Sequence, residues 1–309
     1  MIAIPLIKKI AELFLILFAS AAMVKAGLLK TEDSKVLARI TLYFITPCVV
    51  FNSFLEELTP EIQQGLLIAA GLALGVQLIY FVIAEVLRRV WKATEVERAS
   101  IVFTNAGNLI IPLVAYVQGQ SQVIYVSAYI LVFNLLFWTF GIRMFDNTGA
   151  PGFKKILLNP NILAIAAGLL ILVLHIKLPE PLAIAFSDTA SMIGPATMII
   201  TGLVVGGIRF CDLFANRRVI GVVLFRMILC SGIAVLAISL IGISGCVPLG
   251  KEFLMIPLLS AIAPSASNIN QVAILYNKDA QYASSINILT TLSCIVTIPM
   301  WIMLYDAIV

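Results

Sequence analysis

Two short polar stretches stand inside segments that are otherwise apolar enough to cross a lipid bilayer. One is NAGNLIIP at residues 105–112, and the other is PSASNIN at residues 264–270. Such residues interrupt a helix, and the backbone groups they free at membrane depth must be buried in protein or face a water-filled cavity. Paired interruptions in the two halves of a chain are typical of solute-binding sites in transporters. The two stretches therefore predict a solute site.

The side chains of the two stretches offer hydrogen-bond donors and no acid. Each interruption also exposes the amino end of a half-helix, which carries unpaired N–H groups and a partial positive charge. No Asp or Glu occurs between Arg98 and Arg143, or between Glu252 and Lys278. This combination favours an anion such as a carboxylate over a cation. We expect the site to consist of Asn105, Asn108, Pro112, Pro264, Ser265, Ser267, Asn268 and Asn270.

Within this set we expect Asn108 and Asn268 to hold the solute, while Pro112 and Pro264 fix the interruptions. The alternative is that the Asn and Ser residues only satisfy kinked backbone and join neighbouring helices. No catalytic group and no metal ligand is assigned to the stretches.

Further polar residues lie on apolar segments. Ser284, Asn287 and Thr291 share one helix face, and Ser127 and Asn134 are seven residues apart on another helix. We expect both faces to look toward the two stretches, and interhelical hydrogen bonding is the alternative.

Several ionisable residues fall inside predicted spans, among them Glu12, Glu85, Asp188 and Arg226. Asp188 is a candidate proton-coupling group, because ionisable residues in a membrane mark functional sites by default. The alternative is an interfacial or paired carboxylate. Glu85 and Arg226 lie nearer the span ends, and we expect their side chains to snorkel to the interface.

Composition identifies an integral membrane protein. The 309 residues are 61% hydrophobic and 12% charged, with a mean hydropathy of +1.07, whereas soluble domains are about half apolar and a quarter charged. Five cysteines without CxxC spacing and one histidine predict no disulfide, no metal site and no cofactor. The net charge of +4 indicates no nucleic-acid partner.

The long apolar runs predict ten transmembrane helices. Their approximate bounds are 5–24, 37–55, 62–87, 99–117, 123–143, 158–176, 182–208, 219–243, 253–276 and 281–304. All but four of the 20 Lys and Arg residues then fall on one side, which places that side in the cytoplasm and both termini outside.

The connection at 146–156 divides the chain into residues 1–150 and 151–309, each with five spans. Because five is odd, the second half enters the membrane inverted, as in inverted-topology repeats. A shift of 160 residues aligns Ala106 with Ala266, Asn108 with Asn268, and Tyr116 with Tyr276. Spans four and nine then run antiparallel, and we call the point where their interruptions meet the crossing.

Several motifs resemble the auxin efflux carrier family of membrane transporters, which includes bacterial permeases for malate, malonate and related acids. They are Pro47 with Phe51, Asn105-Ala106-Gly107-Asn108 with Pro112-Leu113, Asn159-Pro160 with Gly168, Pro264-x-Ala266-x-Asn268, and Thr291-Leu292-Ser293 with Thr297-Ile298-Pro299.

The resemblance implies ten helices in two inverted five-helix repeats, divided into a scaffold and a transport domain. It also implies an elevator movement that carries an organic anion bound at the crossing. We expect a bacterial inner membrane as the location and a homodimer through the scaffold. One position departs from the family pattern, because Ile111 stands where the family often has Gly before the proline.

Other functions compete with a carrier of small organic anions. The chain is alternatively a structural or sensory membrane protein with a vestigial crossing, or an ion channel. The sequence GISG at residues 242–245 resembles an intramembrane serine protease motif, but no partner base is evident, so we expect no enzyme.

Overall fold

The apolar runs of the sequence fold into helices throughout the part of the chain that the structure describes. This computed structural model describes residues 3–52, 54–55, 60–119, 122–145, 158, 160–174, 176–207, 216–243 and 250–309. Among these residues the one extended pairing is an isolated antiparallel bridge between Thr104 and Ser265. The prediction of an all-helical chain is therefore confirmed.

The described part of the chain contains sixteen α-helices. In chain order they are α1 (Ala3–Lys25), α2 (Ser34–Ile40), α3 (Thr46–Asn52), α4 (Pro60–Val90), α5 (Glu95–Val102), α6 (Ile111–Val117), α7 (Val123–Leu136), α8 (Ile142–Phe145), α9 (Pro160–Leu174), α10 (Glu180–Ser191), α11 (Ile193–Gly206), α12 (Arg217–Leu224), α13 (Ser231–Ile243), α14 (Gly250–Ala261), α15 (Asn268–Leu275) and α16 (Ala280–Ile308).

Four π-helical turns continue or precede these helices, and π-helical turns occur frequently at functional sites. They are Thr41–Ile45 between α2 and α3, Ala106–Ile110 before α6, Phe137–Gly141 between α7 and α8, and Phe225–Cys230 between α12 and α13. A short 3-10 turn, Thr31–Asp33, precedes α2.

Among the residues that the structure describes, six helical segments are long and apolar enough to cross a membrane. They are Thr31–Asn52, Gln64–Val90, Val123–Phe145, Glu180–Gly206, Arg217–Ile243 and Ala280–Ile308. These six correspond to predicted spans two, three, five, seven, eight and ten. The chain is therefore a multi-pass helical membrane protein, although fewer of its helices meet this criterion than the ten that the sequence predicts.

The other four predicted spans fall short for different reasons. Helix α1 has 23 residues, but Lys8, Lys9 and Glu12 lie within it. The described helix of span six, α9, has 15 residues. Spans four and nine are each divided by the predicted interruption into two short helices, α5 with α6 and α14 with α15.

The helices pack as two groups. In the first group, α1 and α2 pack against α11, and α3 packs against α9 and α10. In the second group, α4 packs against α5 and α7, α14 packs against α4, α7 and α13, and α16 packs against α12 and α15. Helices α15 and α16 also contact the first group, through α2 and α11.

Glycines on α11 explain the close packing in the first group. A side chain at Gly202 would overlap the Ser20 hydroxyl and the Leu17 carbonyl on α1, and one at Gly206 would overlap the Ala21 carbonyl. This spacing of small residues permits the backbones to approach closely. In contrast, Gly71 and Gly75 on α4, which have the same spacing, face open space and have no packing partner in the described part of the chain.

Candidate substrate-binding site

The two interrupted helices meet, as the sequence predicts. Helix α5 ends at Val102 and α14 ends at Ala261, and an extended segment follows each of them. The Asn105 amide donates to the Pro264 carbonyl at 2.8 Å, and the Ala266 amide donates to the Phe103 carbonyl at 3.0 Å. The freed backbone groups of each interruption are thus satisfied by the other, buried in protein as the low polarity of a bilayer requires.

In these two hydrogen bonds, equivalent residues of the two halves are 161 positions apart. The donors are Asn105 and Ala266, and the acceptors are Phe103 and Pro264. Two of the sequence identities, Asn108 with Asn268 and Tyr116 with Tyr276, lie beyond these hydrogen bonds and give a shift of 160. The π-helical turn Ala106–Ile110 explains the difference, since a π turn holds one residue more than an α turn and α15 begins without one.

Side chains of α16 hold the second interruption in place. The Asn287 side-chain amide donates to the Ser265 carbonyl at 2.8 Å, and the Ser265 amide donates to the Thr290 hydroxyl at 3.2 Å. All three residues are buried. The prediction that the polar face of this helix looks toward the crossing is therefore confirmed for Asn287.

The prediction that Arg226 snorkels is wrong. This residue does not snorkel to an interface, because its side chain is completely buried. Its Nε donates to the Ala263 carbonyl at 3.2 Å, and Nη2 donates to the carbonyls of Ala261 at 2.5 Å and Ala263 at 2.7 Å. Its Nη1 donates to the Ile101 carbonyl at 3.2 Å. The guanidinium therefore joins the carboxyl ends of α5 and α14 directly behind the crossing.

Tyr80 on α4 completes the surroundings of this arginine. Its ring lies 4.8 Å from the guanidinium carbon, a distance typical of a cation–π contact. Its hydroxyl donates to the carbonyls of Ala261 at 3.1 Å and Cys230 at 3.3 Å.

A cavity of about 530 Å³ opens beside the crossing, between the two helix groups. Pockets for small ligands commonly have this size. The second group contributes Thr104, Asn105, Ala106, Gly107, Ile111, Val123, Ser127, Ile130, Phe133, Asn134, Ala266, Ser267 and Asn268, and the first group contributes Thr46, Val49, Asn52, Ser187, Ala190, Ser191 and Ile193. The described residues of the lining offer amides and hydroxyls, and none of them has a charged side chain.

The structure brings Asn105, Ser267 and Asn268 to this cavity. Ser127 and Asn134, expected to face the crossing, also line it. The backbones of Asn108 and Pro112 lie in the π turn and at the start of α6, and their side chains lie outside the described part of the structure.

Other predicted residues do not line the cavity. Pro264 and Ser265 are buried and bonded through their backbones, as described above. The Asn270 amide points to the first helix group, where it donates to the Thr201 hydroxyl at 3.1 Å. Asp188 is exposed on α10, while its neighbours Ser187 and Ser191 line the cavity.

Thr104, next to the first polar stretch, was not expected from the sequence to line the cavity. Nor were four polar residues of the first group: Thr46, Asn52, Ser187 and Ser191. Each lies on an apolar helix of the first group, where a single hydroxyl or amide resembles an ordinary interhelical contact. The one available signal was the spacing of Ser187 and Ser191, which places both on one helix face. Ser244 of the protease-like motif lies outside the described residues.

The charges around the crossing sum to a positive value. The two carboxyl helix ends carry about −0.5 each and the two amino ends about +0.5 each, so these contributions cancel. Arg226 adds one positive charge, and residues 99–143, 219–243 and 253–278 contain no Asp or Glu. An anion at the crossing would therefore meet donors and a positive field without competition from an acid in these three stretches. Asp188 on α10 follows the lining residue Ser187.

A second polar network fixes the start of α5, away from the cavity. Glu97 and Thr94 form a capping box, and the buried Glu97 carboxylate accepts hydrogen bonds from Arg218 at 2.5 Å and Tyr282 at 2.6 Å. Burial raises the pKa of Glu97, but the bonds from Arg218 and Tyr282 outweigh it, so the pKa lies below its ordinary value of 4.5.

Comparison with known proteins agrees with this architecture. The sequence model of one family, described as membrane transport protein, matches residues 5–155 and again residues 152–302. A search of curated proteins returns no match to the sequence. Since the two family matches together cover nearly the whole chain, the chain belongs to the membrane transport protein family, the auxin efflux carrier family that its motifs resemble.

Proposed function

We propose that this chain is a secondary transporter of small organic anions, with malate-like dicarboxylates as the first candidates. The observation that carries the proposal is the cavity beside the crossing, whose described lining offers amides and hydroxyls and includes no acid. Arg226 supplies positive charge behind it. Membership of a membrane transporter family supports transport as the activity and argues against catalysis.

Within the cavity, Asn105, Ser267 and Asn268 provide donors from the crossing, and Asn108 is the fourth candidate contact. Helix α15 begins at Asn268, which lines the cavity, so the partial positive charge of its amino end lies beside the same space. A carboxylate is the ligand that such a set of donors binds best. Pro112 and Pro264 preserve the interruptions that create this geometry.

The proposed movement is an elevator. The cavity lies between the two helix groups, so a displacement of the second group relative to the first would expose the bound anion to the other side of the membrane. In this proposal the first group is the scaffold, which also forms a homodimer. The ten spans form two inverted repeats of residues 1–150 and 151–309, with both termini outside a bacterial inner membrane.

Counterflow in proteoliposomes tests the function. Vesicles loaded with an unlabelled acid should take up the same labelled acid in a saturable exchange, first with malate and then with a set of mono- and dicarboxylates. A channel would conduct without trans-stimulation by internal acid, and a structural or sensory protein would show no flux. Absence of exchange with every acid would contradict the proposal.

The variant Asn268→Leu tests the site within the same assay. It should abolish exchange while the protein remains folded, because Asn268 is only partly buried and lies at the cavity. Gln64→Leu, which removes an exposed amide from α4, is the matched control and should transport normally. Asn108→Leu should behave as Asn268→Leu does, and wild-type exchange in either would remove that residue from the site.

Coupling is a separate part of the proposal. Asp188 is the candidate proton-coupling group, although it stands on the exposed side of α10. If it couples protons, Asp188→Asn should retain exchange between equal pH values and lose its response to a pH gradient. An unchanged response to the gradient would exclude Asp188 from coupling.

A further inference from the structure

The buried guanidinium of Arg226 has backbone carbonyls as its partners. All four hydrogen bonds described for it go to carbonyl oxygens, namely those of Ile101, Ala261 and Ala263. Carbonyls converging from two helix ends are the usual ligands of a metal cation at an interrupted membrane helix. Here a side chain of the protein fills that position.

The charge of Arg226 matches what the two helix ends require. The carboxyl ends of α5 and α14 together present about one negative charge, and the guanidinium supplies one positive charge. Burying an unpaired charge in a low-dielectric interior is very costly, so neither the arginine nor the carbonyl ends would be stable without the other. The two carboxyl helix ends would otherwise repel each other, and their contact with the guanidinium holds them together.

The location of Arg226 also limits its role. It lies in the π-helical turn Phe225–Cys230, completely buried, and it is absent from the residues that line the cavity. It acts on the crossing through the backbone of α5 and α14 rather than by touching the solute. Arg226 is thus a positioning residue.

We propose that Arg226 takes the place of a bound monovalent cation at the crossing, and that removing its side chain opens a carbonyl-lined site that binds guanidinium or an alkali cation. The wild-type protein then needs no added cation to keep the carboxyl ends of α5 and α14 together. A variant without the guanidinium needs one.

The experiment measures thermal unfolding of purified protein in detergent. Wild type, Arg226→Ala and Arg226→Lys are compared in choline, sodium, potassium and guanidinium chlorides at equal ionic strength, with guanidinium far below the concentrations that unfold proteins. Arg217→Ala is the matched control, because Arg217 is an exposed arginine at the start of α12, the helix that leads into the same π turn.

The wild-type Tm should be the same in choline, sodium and potassium. Arg226→Ala should have a lower Tm in choline, and guanidinium should raise it saturably, as expected for a ligand that binds only the folded state. Sodium or potassium should do so less, and Arg217→Ala should not respond. Arg226→Lys should need no added cation, because its ammonium supplies a charge and three donors at the same place.

Three results would overturn the proposal. The first is that the wild-type Tm depends on sodium or potassium. The second is that Arg226→Ala is as stable as wild type in choline. The third is that guanidinium raises the Tm of Arg226→Ala no more than that of Arg217→Ala. If Arg226→Ala cannot be purified in choline, recovery with guanidinium supports the proposal, and loss under both conditions contradicts it. Since no solute is involved, the result stands whether or not the chain transports anions.

Discussion

The side-chain amide of Asn270 on α15 donates a hydrogen bond to the hydroxyl of Thr201 on α11, at 3.1 Å. Both side chains are buried, and Thr201 in turn donates to the Thr197 carbonyl at 2.8 Å. This is a direct polar contact between the two helix groups beside the crossing. A residue predicted to bind solute therefore joins the moving and static parts of the proposed elevator.

The loss of this contact should be measurable as a coupling energy. Thr201→Val removes the acceptor, and the free energy of unfolding should fall by about 1–2 kcal/mol, because a buried amide loses its partner. The double variant with Asn270→Leu should be less destabilised than the sum of the two single variants, by about 1 kcal/mol. Denaturant unfolding in detergent measures all three proteins, and additive effects would mean that the bond contributes nothing.

The sequence was sufficient to locate the crossing. Asn, Gly, Ser and Pro within apolar segments have few arrangements that satisfy the backbone in a membrane, and mutual pairing of the two interruptions is one of them. The residues of the cavity could be predicted only in part. Periodicity identifies a helix face, but it does not say whether that face meets a cavity, a neighbouring helix or lipid.

Two differences between the sequence-based predictions and the structure illustrate this limit. Arg226 was assigned to an interface because it stands near the start of a span, yet the carbonyls that retain it come from residues far away in the chain. On α10 both Asp188 and Ser187 are exposed, yet the inconspicuous Ser187 lines the cavity and the conspicuous Asp188 does not. In both cases tertiary contacts determine where the side chain lies, and these contacts cannot be predicted from a single sequence.

The network at Glu97 should show a defined pH dependence. The folded-state pKa of Glu97 lies below its ordinary value of 4.5, so its stabilising contribution is complete above that value and is lost as the pH falls through the folded-state pKa. Glu97→Gln should lower the free energy of unfolding by about 1–2 kcal/mol, since Arg218 is partly exposed and the pair is partly screened.

The difference between wild type and Glu97→Gln should stay constant from pH 8 to pH 5 and shrink below pH 4.5. Urea unfolding at a series of pH values measures it. Tyr282→Phe, which removes one donor to Glu97, should raise the pH at which the contribution is lost. A difference that already changes between pH 8 and pH 5 would show that the carboxylate is not held as the structure indicates.

The two pairs of glycines should respond to substitution in opposite ways. Gly202→Ala places a methyl group against the Leu17 carbonyl, which cannot move freely, and should cost about 1–3 kcal/mol of unfolding free energy. Gly71→Ala meets open space and should be neutral or stabilising by up to about 1 kcal/mol, because alanine favours a helix. Equal effects of the two substitutions would contradict the packing of α1 on α11.

A large side chain introduced on the first helix group, at a position that lines the cavity, should block transport. Ser187 lines the cavity, and Ser187→Phe introduces a ring into the space proposed for the anion. Counterflow should fall by about tenfold or more, which corresponds to about 1.4 kcal/mol. Thr189→Phe is the matched control, since Thr189 lies on the same helix and is not among the residues that line the cavity. Full exchange by the Ser187→Phe protein would place the anion elsewhere than in this cavity.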